Sequence, residues 1–216
     1  MAGRGAAPAP LFAVLPAVLP AALFARVRAA LFALALLPLA RLVVLGAGPG
    51  LGANPVEFVT RSLGTWALVM LCVTLAVTPL RHLTGWAWLA RLRRMAGLFC
   101  FFYASLHVAA YAVVDLRLDL HAIVSDIVKR PFITAGFAAF VLLVPLAATS
   151  NSAMVRRLGA RNWQRLHRFV YPIAALAILH FWWHKAGKND FGEPAVYALI
   201  VAVLLGARLL RWLAAR

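Results

Sequence analysis

Met95-Ala96-Gly97-Leu98-Phe99-Cys100-Phe101-Phe102-Tyr103-Ala104-Ser105-Leu106-His107-Val108-Ala109-Ala110-Tyr111-Ala112-Val113-Val114 contains no charged residue, and it is closed by Arg93-Arg94 on one side and Asp115 on the other. A helix crossing the hydrocarbon core needs about 20 mostly apolar residues, and this run supplies them. It also carries a single imidazole well away from both charged ends. A membrane span with an ionisable group inside it decides both the fold class and where to look for function.

The rest of the chain repeats the pattern. Of 216 residues, 64% are hydrophobic and 13% charged, and the mean hydropathy is +0.88. Soluble domains are roughly half apolar and about a quarter charged, so a water-soluble fold is excluded. Apolar runs bounded by charge, Gly or Pro predict six helices, over about 29–47, 63–80, 95–114, 132–149, 166–184 and 194–212. Within the bilayer the backbone must satisfy its own hydrogen bonds, so helices are expected throughout. The fold class is an all-α polytopic membrane helix bundle. Six spans and short loops use nearly the whole length, leaving no room for a separate catalytic domain. Pro38, Pro145 and Pro172 predict local kinks.

The formal net charge is +16. A basic chain raises the question of nucleic acid, but here the cations lie between apolar runs, where they set membrane orientation; no nucleic-acid partner is expected. Arg81, Arg91, Arg93 and Arg94 separate the second and third runs, and Arg156, Arg157, Arg161 and Arg165 the fourth and fifth, with no acid in either loop. The other connections are balanced. Glu57 faces Arg61; Asp115, Asp119 and Asp126 face Arg117, Lys129 and Arg130; Asp190 and Glu193 face Lys185 and Lys188. The positive-inside rule then puts both termini in the cytoplasm. Cys72 and Cys100 fall inside apolar runs and form no CxxC, which argues against thiol chemistry. Residues 1–28, rich in Ala and Pro, read as a weakly ordered extension; a signal-like segment, a re-entrant piece or an extra span are the other readings.

Each ionisable residue inside a bilayer is costly and is a functional hypothesis. His107 lies 13 residues beyond Arg94, and His180 lies 12 beyond Arg168. At 1.5 Å per residue these are depths of roughly 20 and 18 Å, measured from the same side. Two imidazoles at matched depth on helices running the same way suit bis-histidine ligation of a haem b. The bland alternative is a hydrogen bond across helices for each. Phe99, Phe101, Phe102, Tyr103, Phe181, Trp182 and Trp183 lie around these depths; alone they would be ordinary packing.

His167 precedes His180 by 13 residues, so one continuous helix would aim the two to well-separated faces. It could hold a second haem, meet a quinone or flavin, or sit among headgroups. His82 is the weak candidate partner for a second haem. His184 is one turn beyond His180 on a similar face and could be an alternative ligand, but Trp182-Trp183-His184-Lys185 reads more plainly as an outer interface. His121 lies in a loop. Arg41 either snorkels or pairs with a haem propionate. Gly46-Ala47-Gly48-Pro49-Gly50 follows a membrane helix, lacks the βαβ context of a dinucleotide loop, and is a turn.

Several blocks of sequence occur in register with one family. They are Gly50-Leu51-Gly52-Ala53-Asn54-Pro55-Val56-Glu57, Thr78-Pro79-Leu80-Arg81, Arg93-Arg94-Met95-Ala96-Gly97-Leu98 leading to Phe102-Tyr103-Ala104 and Leu106-His107, Lys129-Arg130-Pro131-Phe132-Ile133-Thr134, Leu146-Ala147-Ala148-Thr149-Ser150, Arg157-Leu158-Gly159, and Trp163-Gln164-Arg165-Leu166-His167-Arg168-Phe169-Val170-Tyr171 followed by Leu179-His180. Over about residues 29–212 the chain resembles the MsrQ (YedZ) family, haem-binding membrane subunits of the MsrPQ methionine sulfoxide reductase system. The resemblance implies a ferric-reductase-like transmembrane cytochrome of the bacterial inner membrane. It further implies haem b and FMN as cofactors, the quinone pool as electron source, and MsrP, a periplasmic molybdopterin subunit, as partner. The family's histidines map onto His107, His167 and His180; no flavin motif is visible. A subunit of this kind is an electron conduit and not itself the sulfoxide reductase. The competing readings are another ferric-reductase-like electron-transfer cytochrome, a small transporter or assembly factor that uses its histidines for protons or metal, and a purely structural membrane scaffold.

Overall fold

The computed structural model describes residues 18–187 and 189–214. Most of the extension expected over 1–28 lies outside the described residues. The helices are α1 (Ala21–Gly46), α2 (Pro55–Thr84), α3 (Arg93–Ala109), α4 (Leu120–Lys129), α5 (Pro131–Ala148), α6 (Ser152–Leu158), α7 (Ala160–His167), α8 (Val170–Ala186) and α9 (Gly192–Ala214). Among the described residues there is no strand. Five of the expected spans correspond to helices long and apolar enough to cross a membrane. The other, α8, has 17 residues, the lower end of the spanning range of about 17–25. The chain is a multi-pass membrane protein, all-α among the described residues.

Helix ends depart from the expected bounds where capping outweighs hydropathy. α1 begins at Ala21, directly after Pro20, not at 29. α2 starts eight residues before its apolar run because Asn54 caps it, accepting from Glu57 N–H at 3.2 Å and donating to the Glu57 carboxylate at 3.1 Å. It runs on to Gly85, whose φ of 74° supplies the left-handed stop. The last turn of α3 widens to π geometry over Ala110–Asp115. The largest difference is at the fifth expected span. The chain breaks after His167, so α7 and α8 are separate helices and not one helix over 166–184.

Packing is dominated by two antiparallel pairs, α2 with α3 and α5 with α8. Lipid tails are as apolar as leucine, so small residues that allow close approach count for more than hydrophobicity. Ala135 and Ala139 on α5 and Ala174 on α8 are all buried. α9 packs on α2 and α8, and Tyr103, fully buried on α3, donates to Ala35 O of α1 at 2.6 Å. Leu34, Leu37, Val43, Val44, Leu199, Val203, Leu209 and Leu210 point outward. In water such a surface would be an aggregation hazard; against lipid it is the expected exterior. All six acidic residues (57, 115, 119, 126, 190 and 193) lie at one end of the bundle, here the acidic end. The other end carries the arginine loops.

Candidate functional site

His107 and His180 meet between the two pairs, in the half of the bundle toward the acidic end. Their ring centroids are 6.1 Å apart and their planes are inclined at 75°. The matched depth read from the sequence therefore becomes a direct juxtaposition.

Each imidazole is held by the helix paired with its own. His107 Nδ1 lies 2.8 Å from Thr60 O on α2, and His180 Nδ1 lies 2.7 Å from Phe132 O on α5. A carbonyl oxygen only accepts, so Nδ1 carries the proton in both rings and Nε2 keeps its lone pair. A backbone carbonyl that fixes the tautomer in this way is what a metal-ligating histidine ordinarily has.

A glycine makes each approach possible. Gly64 follows Thr60 by four residues, and Gly136 follows Phe132 by four, the helical repeat that places each beside the carbonyl in use. A Cβ on Gly64 would sit 3.0 Å from His107 Nδ1; on Gly136 it would sit 2.7 Å from His180 Nδ1. Glycine inside a helix costs about 1 kcal/mol relative to alanine, and the imidazoles supply the reason for bearing it. Sequence reading missed Thr60, Gly64, Phe132 and Gly136. The signal was present, since a glycine interrupting an apolar helix calls for a packing explanation.

Three observations bear on whether the residues fit a haem. Two metal–imidazole bonds of about 2 Å each, with the ring radii added, span about 6 Å, matching the separation found. A macrocycle iron asks the protein for only two nitrogens, and His107 and His180 supply two. Thr60 Oγ1 is buried without a hydrogen-bond partner beside the His107 carbonyl contact. The residues fit the group.

His184, read from the sequence as an outer-interface residue, belongs to the wall of this site. Its ring is 6.4 Å from that of His180 and 5.5 Å from Phe132. Of the aromatics expected around the pair, Trp182 is exposed and stacks on Phe191, and Phe99 packs against Phe32. Phe132, not singled out beforehand, is the one whose ring lies beside His180, at 6.1 Å. Arg41 sits over the Phe58 ring at 5.9 Å near the acidic end.

His167 is not brought to the pair. It lies at the arginine end, where its ring stacks on Trp163 at 3.9 Å and its Nε2 is 3.1 Å from Thr149 Oγ1. Trp163 Nε1 donates to Thr149 O at 2.9 Å, so both rings clasp the end of α5 to α7. The break after His167 also removes the continuous helix from which its facing had been projected. At the acidic end, Lys185 pairs with Asp190 and with Glu193; the ammonium beside Asp190 holds its carboxyl below the usual carboxylate range.

Comparison with known proteins agrees with this geometry. Residues 63–178 match the family described as ferric reductase like transmembrane component, a segment that includes His107 and the greater part of α2, and ends two residues before His180. The protein-methionine-sulfoxide reductase heme-binding subunit MsrQ of Ralstonia nicotianae is 62% identical over 195 residues, 90% of each chain. The MsrQ of Bordetella pertussis is 59% identical over 187 residues, 87% of this chain and 90% of the relative. That of Xanthomonas euvesicatoria is 55% identical over 171 residues, 79% and 77% of the two. No solved structure matches the chain. With identity of this order across nine-tenths of both chains, laid over two opposed histidines in a ferric-reductase-like bundle, this chain belongs to the MsrQ family.

Proposed function

We propose that the chain is a b-type transmembrane cytochrome in which His107 and His180 are the axial ligands of one haem b. It carries electrons from the quinone pool to MsrP, a molybdopterin subunit, for repair of methionine sulfoxide in oxidised periplasmic proteins. The observation that carries the haem reading is the pair of Nδ1-to-carbonyl contacts, which leave the Nε2 lone pair of each ring for a metal, on rings 6.1 Å apart. The name of the relatives, heme-binding subunit, supports the same cofactor; FMN enters through the family resemblance.

Bound haem supplies a one-electron iron couple whose potential answers to its ligands and surroundings. The chain's own contribution is to hold both imidazoles neutral and oriented, through Thr60 O and Phe132 O, and to keep the site dry among α2, α3, α5 and α8. Positive-inside places the arginine end in the cytoplasm and the site toward the periplasm, in the inner membrane. This puts the histidine pair on the side where MsrP docks. His167, at the arginine end, stands on the side from which electrons arrive, as a quinone-side or flavin-side residue or a further ligand.

The test is a dithionite-reduced minus oxidised absorption spectrum of the purified protein beside His107→Ala and His180→Ala. A b-type signal lost in both variants, each still inserted and helical, supports the reading. Colourless wild type from haem-replete cells overturns it and favours the transporter. Addition of a quinol, then of oxidised MsrP, tests the direction of flow: reduction by the first and reoxidation by the second are expected.

A further inference from the structure

An open cavity of about 380 Å3 lies at the arginine end, lined by Thr78, His82, Arg93, Tyr171, Arg208, Arg211 and Trp212. These residues come from the C-terminal parts of α2 and α9 and the N-terminal parts of α3 and α8. Its three guanidiniums and one imidazole have no acidic neighbour, because every Asp and Glu is at the opposite end. All ion pairs among the described residues are there too.

Helix dipoles account for only part of this gathering. His82, Arg208 and Arg211 lie toward C-termini, where cations are favoured; Arg93 is the first residue of α3, where they are not. Arg93 also lies within electrostatic reach of Arg208, and His82 within reach of Arg211, so like charges face one another. Arg208 is fixed by Nη2 donating to Leu75 O at 2.7 Å and Nη1 to the Tyr171 hydroxyl at 3.2 Å. Its Nε is buried with no partner, and an unmet buried donor of a charged group is costly. Three guanidiniums lining one cavity with no carboxylate are the side chains that phosphate recognition uses.

We infer that this cavity is a phosphate-binding site, in which Arg93, Arg208 and Arg211 hold the oxygens of a phosphate group at the arginine end of the bundle. The phosphate comes either from the headgroup of an anionic phospholipid or from a soluble phosphate. The inference does not depend on the haem reading, since the cavity involves neither His107 nor His180.

The test uses the full chain in detergent, with folding checked by circular dichroism so that it stands whether or not haem is present. Inorganic phosphate is compared with chloride at equal ionic strength by thermal melting. Phosphatidylglycerol is compared with phosphatidylcholine by retention in native mass spectrometry. Wild type should bind at least one of the two selectively, and Arg93→Gln with Arg211→Gln should weaken that binding by about tenfold or more. Arg156→Gln with Arg157→Gln, at the same end but outside the cavity, should change it less than about twofold. A response to phosphate identifies a soluble source; a response to phosphatidylglycerol alone identifies the lipid. Should the double variant unfold, Arg211→Gln alone replaces it. Absence of selectivity for either probe, or equal effects of the two variant pairs, overturns the inference.

Discussion

The two halves of the histidine site are built alike and differ in tightness. In α2/α3 and in α5/α8, the first helix runs from the acidic end and offers a carbonyl with a glycine four residues on; the second returns with the imidazole. His107 has the looser seat, with 3.0 Å between its Nδ1 and a Cβ built on Gly64. His180 has the closer one, at 2.7 Å from a Cβ on Gly136, and is further walled by Phe132 and His184. The same local device thus serves twice, and the neighbouring side chains make one copy less tolerant than the other.

The largest expected effect treats the halves as equal. His107→Ala and His180→Ala should each abolish the b-type absorbance, because a bis-histidine site with one ligand gone holds haem weakly. Retention of the full signal by either variant would break the symmetry of the pair.

The glycines come next and separate the halves. Gly136→Ala places a methyl where the His180 ring must shift, a clash costing about 1–3 kcal/mol. Gly64→Ala should cost less than about 1 kcal/mol, since its contact is one that a small adjustment relieves. Melting temperature and haem content measured together on the two variants check the order; a larger loss at Gly64 would reverse the comparison.

A smaller effect separates the pair from His167 at the arginine end. Thr149→Val removes the hydroxyl facing His167 and should lower stability by about 1 kcal/mol. The reduced minus oxidised spectrum should stay as in wild type if the pair alone holds one haem. A halved signal would instead assign His167 to a second haem.

The smallest effect lies at the acidic end. Lys185 depresses the Asp190 carboxyl, so the pair stabilises the fold above the unfolded carboxylate value of about 3.9. That contribution is lost as pH falls through the lower folded value. The pair is solvent-exposed on the Asp190 side, so acidification from pH 7 to pH 3 should lose at most about 2 °C more in wild type than in Asp190→Asn. Equal pH profiles for the two proteins would remove the pair from the account.

Hydropathy and charge are local properties that act residue by residue. For that reason the sequence alone determined the spans, the charge asymmetry between their ends, and the equal depth of His107 and His180. The MsrQ resemblance was legible for the same reason, as blocks preserved in order along the chain. Rotation of a helix about its axis and its choice of neighbour depend on contacts between residues far apart in sequence. Only the tertiary structure therefore paired Thr60 with His107 and Phe132 with His180, and gave Gly64 and Gly136 their purpose. It also broke the fifth span after His167, moved His184 from the interface into the wall of the site, and brought Arg93, Arg208 and Arg211 from two separate helices to one cavity. Depth in the bilayer is written in the chain; which side chains meet at that depth is decided by packing.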